Sequence, residues 1–277
     1  MAFLAAAAFA GCEYKPPSVS LTADAAYNGD IINSYVDTST GYVIGGSVSR
    51  KWLPVSDSVA RLNYRQSWWV YGIGRALGRV DSGPAQPAGS GCEGWRVEFL
   101  DLGPKTSDAF AILGRWNGAP RKAEYQSLDH PAYMSLVSET LADHGIASAD
   151  ITLTANLRID LDDDGIDEVV LSATNMTPGE AGAESDSYSV VLLRKSTVSG
   201  VFTRLLTHTL VPEGCSSCDP AVHRVGGLVD LNGDGNVEII VRTTSRLASG
   251  GTVFAASGLE PEEVLTWSCP YPENQSD

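Results

Sequence analysis

A chain of 277 residues, 43% of them hydrophobic, has enough apolar material to bury a full core as one large or two small domains. Its 19 Lys and Arg stand against 34 Asp and Glu, a formal net charge of −15. No basic cluster exists to neutralise phosphates or to sit on an anionic lipid surface, which argues against a nucleic-acid binder and an electrostatic membrane binder.

The N-terminus reads as an export signal. Ala2 to Ala10 is a continuous apolar run, followed by Gly11-Cys12 and the polar, proline-rich Glu13 to Pro17. The run is too short to span a bilayer and matches the core of a signal peptide. Phe9-Ala10-Gly11-Cys12 resembles a bacterial lipobox, which makes Cys12 the candidate lipidation residue. Lipid anchoring and simple secretion both stay open. Residues 1–12 are thus signal peptide and lipobox. Residues 13–40, small and polar with Pro16-Pro17 and Asn28-Gly29, read as a spacer.

Residues 41–130 read as a β-rich region of short strands and glycine-rich turns. Val43-Ile44, Trp68 to Ile73, Trp95 to Leu100 and Ala109 to Leu113 are the candidate strands. Trp95, Val97 and Phe99 alternate with Arg96 and Glu98, the period of a half-buried strand. Asp81 to Gly91 is a loop rich in Gly, Pro and Ser. Gly72-Ile73-Gly74-Arg75-Ala76-Leu77-Gly78 imitates a dinucleotide fingerprint, but its third glycine is one residue late and no βαβ context follows. A glycine-rich turn is the expectation there. Trp68 and Trp69 are adjacent, so on one strand they must point to opposite faces, and one of them is a candidate for an exposed glycan- or peptide-binding aromatic.

One helix is expected, over Pro131 to His144. Pro131 suits its first turn, Tyr133, Leu136, Val137, Thr140 and Leu141 make one face, and Gly145 is a ready stop. Residues 131–277 then carry a short pattern twice. Arg158 to Leu171 reads RIDLDDDGIDEVVL and Val229 to Arg242 reads VDLNGDGNVEIIVR. Aligning Asp160 with Asp230 gives Asp160, Asp162, Asp164 and Glu168 against Asp230, Asn232, Asp234 and Glu238. A Gly follows the third donor in each. Oxygen donors at alternate positions of a tight loop converge on one centre, and the position-7 carbonyls of Ile166 and Asn236 are natural additions. Six or seven oxygens suit Ca²⁺ better than the strict octahedron of Mg²⁺. An EF-hand is excluded because Leu171 and Val241 stand where its bidentate Glu belongs, and because the flanks are β-branched strands, not helices.

These two loops resemble the calcium loops of FG-GAP/VCBS repeats, units of integrin-α-type β-propellers and of many bacterial surface proteins. The resemblance covers residues 150–268 and is specific in the loops. It implies two Ca²⁺ sites and a mainly β fold of strand–Ca²⁺ loop–strand units, either propeller-like or an open sheet or sandwich. Asp163 departs from the pattern, standing where the second copy has Gly233; Asp can take the left-handed conformation at some cost. Asp160 and Asp230 lie 70 residues apart, a spacing compatible with successive four-stranded blades, though two copies alone cannot close a propeller.

With Cys12 set aside, Cys92, Cys215, Cys218 and Cys269 are an even set for two disulfides in an exported chain, with three pairings open. The four His residues (130, 144, 208 and 223) have no ligand spacing and read as surface or loop residues. No G-x-S-x-G elbow, H-E-x-x-H or P-loop occurs. The expected function is therefore an exported, non-catalytic, calcium-binding surface protein that binds or assembles with protein or glycan. The competing expectations are a secreted hydrolase with its active site in residues 41–130, and a self-assembling extracellular structural protein.

Overall fold

The computed structural model describes residues 32–89, 92, 94–146, 150–197 and 200–271. The signal segment with Cys12, and the spacer up to residue 31, lie outside the described residues. Strand β1 (Ile32–Asp37) corrects the far end of the expected spacer. Its Tyr35 and Val36 are fully buried on opposite faces, so a segment of polar composition is held in a sheet by two large side chains.

The first sheet contains β1, β2 (Val43–Val48), β3 (Lys51–Leu53), β4 (Gln66–Tyr71) and β5 (Ala76–Ser82). A one-turn helix α1 (Val55–Ser58) follows β3, and a two-stranded ribbon, β6 (Gln86–Pro87) with β7 (Trp95–Arg96), follows β5. Strand β8 (Phe110–Ile112) then inserts between β1 and β4, giving the antiparallel order β3-β2-β1-β8-β4-β5. The predicted strand over Trp95 to Leu100 shortens to β7. Its alternation persists, with Val97 buried between exposed Arg96 and Glu98. The glycine-rich segment after β4 is a turn, in which Gly72 N–H donates to Arg75 O at 3.0 Å and Gly74 has φ +59°.

The second sheet is β9 (Glu124–Tyr125), β10 (Leu153–Ile159), β11 (Glu168–Thr174), β12 (Ser187–Thr197) and β13 (Gly200–Val211) in the order β13-β12-β11-β10-β9. Helix α2 (Pro131–Asp143) lies between β9 and β10 in sequence and starts on Pro131 as expected. Val137 and Leu141 are its buried positions, and Gly145 takes φ +89° just past its end. The third sheet is the meander β14 (Val222–Val229), β15 (Glu238–Thr244), β16 (Ala248–Ala255) and β17 (Glu262–Pro270). The chain is mainly β, in several antiparallel sheets of which none closes into a barrel.

Period-two burial stacks these sheets. On β15, Ile239 and Val241 face Leu157, Val170, Val191 and Leu193 of the second sheet. Ile240, between them, faces Tyr35, Phe110 and Ile112 of the first. The third sheet is thus the middle layer. Beyond the second sheet, α2 packs Val137 and Leu141 on Val169, Leu171 and Tyr188. This core runs across residue 130, so residues 32 onward pack as one unit. Trp68 is fully buried and Trp69 is 39% exposed with the Arg79 guanidinium 5.0 Å from its ring, the split that adjacent strand positions require.

A buried arginine joins the middle layer to the first sheet. Arg242 of β15 pairs with Asp37 at the end of β1 and lies 3.2 Å from Asp108. It also donates to Ala109 O at 3.1 Å and covers the Phe110 ring at 4.5 Å. His223 departs from the surface position expected of it. It is buried on β14, with Thr209 and Thr243 hydroxyls 3.0 Å from its two ring nitrogens, and burial pushes its pKa down to about 4.

Two tests follow from this packing. Arg242→Met leaves Asp37 buried without its partner and is expected to cost about 3–5 kcal/mol of unfolding free energy in denaturant titrations. The unfolded chain binds a proton at His223 below its ordinary value of 6.5 while the folded chain stays neutral down to about 4, so stability present above 6.5 is lost as pH falls through that window. Between pH 7.5 and 5 the parent should therefore lose about 2 kcal/mol more than His223→Gln. Parallel pH profiles for the two proteins would rule this out.

Candidate metal centre

Each copy of the repeated pattern connects the first two strands of a four-stranded meander, β10 to β11 and β14 to β15. The alternation that makes strands also shapes the loop. Leu161 and Leu231, at position 2, are fully buried in the cores on either side of the middle layer, while the donors at positions 1, 3 and 5 turn away from them.

The two loops share one hydrogen-bond network. Asp160 accepts the N–H of Asp163 at 2.7 Å and of Gly165 at 3.0 Å; Asp230 accepts those of Gly233 at 2.7 Å and Gly235 at 3.1 Å. Asp164 accepts from Ile166, and Asp234 from Asn236, both at 2.8 Å. Glu168 and Glu238 open β11 and β15 and accept the N–H of Leu161 at 2.8 Å and Leu231 at 2.7 Å. In each copy the first carboxylate therefore gathers the turn, and the last ties the loop to the sheet. Position 7 sits in the same turn through the N–H of Ile166 and Asn236.

Position 4 shows why the copies differ. Asp163 takes φ +63° and Gly233 takes φ +77°, so both occupy the left-handed region. A Cβ on Gly233 would meet the Trp116 ring at 2.8 Å, whereas Asp163 is exposed and lies 3.3 Å from Arg121. The second copy requires glycine because an indole lies against it. The first tolerates Asp.

Among the described residues, Asp160, Asp162 and Glu168 form the one group of three acidic, His or Cys side chains with ligand atoms within 4.8 Å of one another. Asp164 stays outside this group. The second loop has the neutral Asn232 at position 3, whose Nδ2 donates to Asp234 at 3.2 Å. Glu168 and Glu238 are both buried, and burial drives their protonation equilibria upward. Glu168 is pushed to about 7 despite the Leu161 N–H and the Lys195 charge, and Glu238 well above the usual carboxyl range. Asp230 is raised for the same reason. Two buried oxygens in the first loop, Asp162 Oδ1 and Glu168 Oε1, accept no hydrogen bond. Orphaned hard oxygens where Asp160, Asp162 and Glu168 converge suit a divalent cation ligated by oxygen, so the residues of the first loop fit such an ion.

Four residues at the loops carry no sequence signal of their role. Arg121 donates to Asp160 O at 2.5 Å, Leu161 O at 2.9 Å and Gly235 O at 2.6 Å, so it bridges the two loops. Val237 N–H reinforces the contact by donating to Leu161 O at 2.8 Å. Trp116 donates its indole N–H to Asp230 O at 2.8 Å. Lys195, buried on β12, pairs with Asp162, lies 3.9 Å from Glu168 and donates to Ala256 O at 3.2 Å. The four cysteines form the pairs Cys92–Cys269 and Cys215–Cys218, which resolves the three open pairings into one.

No protein-family model, curated protein or solved structure matches this chain.

Replacing Gly233 by Asp, the residue the first copy uses, is expected to lower unfolding free energy by about 1–3 kcal/mol through the collision with Trp116. The reciprocal Asp163→Gly should change it by less than about 1 kcal/mol. Denaturant midpoints of the two variants provide the comparison, and equal effects would refute the Trp116 explanation.

Proposed function

We propose that this chain is a calcium-stabilised, non-catalytic β scaffold of the FG-GAP/VCBS kind, exported to a cell surface, where it binds or assembles with protein or glycan. The observation that carries this reading is the shared network of the two loops: the same positions hold the turn, and the same position-9 glutamate is buried at the start of the next strand. A buried carboxylate with an orphaned oxygen is costly unless a cation joins it. A calcium ion removes that cost at Glu168 in the first loop, and one in each loop neutralises acids that otherwise repel each other.

The meanders β10–β13 and β14–β17 support a blade-like arrangement. Val170 pairs with Leu193 and faces the next layer, and Ile240, at the matching place in the second copy, pairs with Val253 and faces the layer after that. Two cysteine pairs favour an oxidising compartment. The exposed Trp69 with Arg79 across from it on β5 offers a flat aromatic and cationic surface suited to a sugar ring or an aromatic side chain.

Thermal melting and calorimetry with calcium test the proposal. The parent should bind about two ions per chain and melt at a higher temperature with calcium than without. Asp164→Ala and Asp234→Ala should each remove one ion and part of the stabilisation. Equal stoichiometry in the parent and both variants would overturn the assignment of the loops.

A further inference from the structure

We infer that Lys195 is an internal cation of the first loop: its ammonium shares the Asp162 carboxylate with the bound metal and sets how tightly that loop holds calcium. This rests on the calcium reading of the loops and concerns what makes the two unequal.

The placement of Lys195 follows from strand register. Val169 pairs with Arg194, so Lys195 stands one step further, beside Glu168. It ends the stripe Val191, Leu193, Lys195, whose two apolar members face the middle layer. Its amine is therefore carried between two sheets, where it contacts Asp162 and the Ala256 carbonyl. In the second copy Ile239 pairs with Phe254, which puts Ala255 at the matching place beside Glu238. The two copies thus differ by a paired exchange. One has Asp162 with Lys195, the other Asn232 with Ala255.

Charge and donor count explain that exchange. The ligand positions of the first loop carry four carboxylates and those of the second carry three. One tethered ammonium reduces the first to the charge of the second. Lys195 engages Asp162 through Oδ2 and leaves Oδ1 without a hydrogen bond, so Asp162 presents a single free oxygen, as an Asn side chain does. Glu168 is fully buried and its Oε1, also without a hydrogen bond, lies 3.9 Å from the ammonium. A metal drawing on Asp162 and Glu168 therefore works against a fixed positive charge a few ångströms away. At the effective dielectric of a partly buried site this repulsion is worth tenfold or more in affinity.

The experiment is calcium calorimetry on the full chain in an Asp234→Ala background, which leaves the first loop to report alone. Adding Lys195→Met should tighten first-loop binding by about tenfold or more, while lowering the calcium-free melting temperature because Asp162 and Glu168 lose their counter-charge. Adding Asp162→Asn together with Lys195→Ala, which copies the second loop, should return affinity to within about threefold of the background. First-loop affinity that Lys195→Met leaves unchanged or weakens overturns the role of Lys195 alone. Should Lys195→Met not fold, the double exchange decides: near-background affinity supports the inference, and loss of the site overturns it. Absence of calcium binding in the parent and every variant removes the calcium reading itself, and this inference with it.

Discussion

The fold turns on a carboxylate placed where a β-sheet ordinarily puts a hydrophobe. Glu168 and Glu238 are the first residues of β11 and β15, buried in the layered core and each accepting a backbone N–H from its loop. Burial of an ionised acid costs several kcal/mol unless charge and hydrogen bonds offset it. Each loop is built around that problem. In the first loop Asp160 and Asp162, at positions 1 and 3, converge on the glutamate, and in both loops the buried leucine at position 2 pins the turn to the core. Hydrophobic burial thus supplies the force that holds like charges together.

Each interface in the stack manages its buried charge with a different cation. Between the first sheet and the middle layer, Arg242 spans the gap to Asp37, and its plane lies on Phe110, a geometry that a guanidinium allows and an ammonium does not. Between the middle layer and the second sheet the cation is Lys195, a compact charge at the end of an otherwise apolar stripe. Between the loops themselves Arg121 donates to three carbonyls, those of Asp160, Leu161 and Gly235. A guanidinium that gathers carbonyls from both loops fixes their separation.

Much of this was legible in the sequence, because its signals are local. The donor spacing around Asp160 and Asp230, the β-branched flanks, the helix starting at Pro131 and the glycine turn at Gly72 each depend on neighbours within a few residues. What stayed hidden depends on partners far along the chain. Arg121 reaches its partners across 39 to 114 positions, and Arg242 meets Asp37 across 205. No periodicity announces such pairs. The spacer expected over residues 13–40 failed at its end for a related reason. Ile32–Asp37 is a poor strand by composition, but it lies between β2 and β8, where pairing on both edges and two buried faces outweigh propensity. His223 was missed because its two hydroxyl partners sit on other strands, Thr243 on the adjacent β15 and Thr209 on β13 of the second sheet.

The differences between the two loops follow the surroundings of each copy. The second loop has the Trp116 segment packed over it: the indole covers Gly233, the indole N–H caps Asp230 O, and Gly118 O accepts the Asp230 N–H. That cover forbids a side chain at position 4 and leaves little room for surplus charge, which fits the neutral Asn232 at position 3. The first loop is open at the same corner. Asp163 can project there toward Arg121, and the additional carboxylate at position 3 is balanced from beneath by Lys195. Two loops with one backbone network differ at positions 3 and 4 in step with what lies against each. The shared network is set by the turn's own backbone and carboxylates, and the differences by the neighbouring layers, so local pattern and long-range packing each leave a separate mark on the same loop.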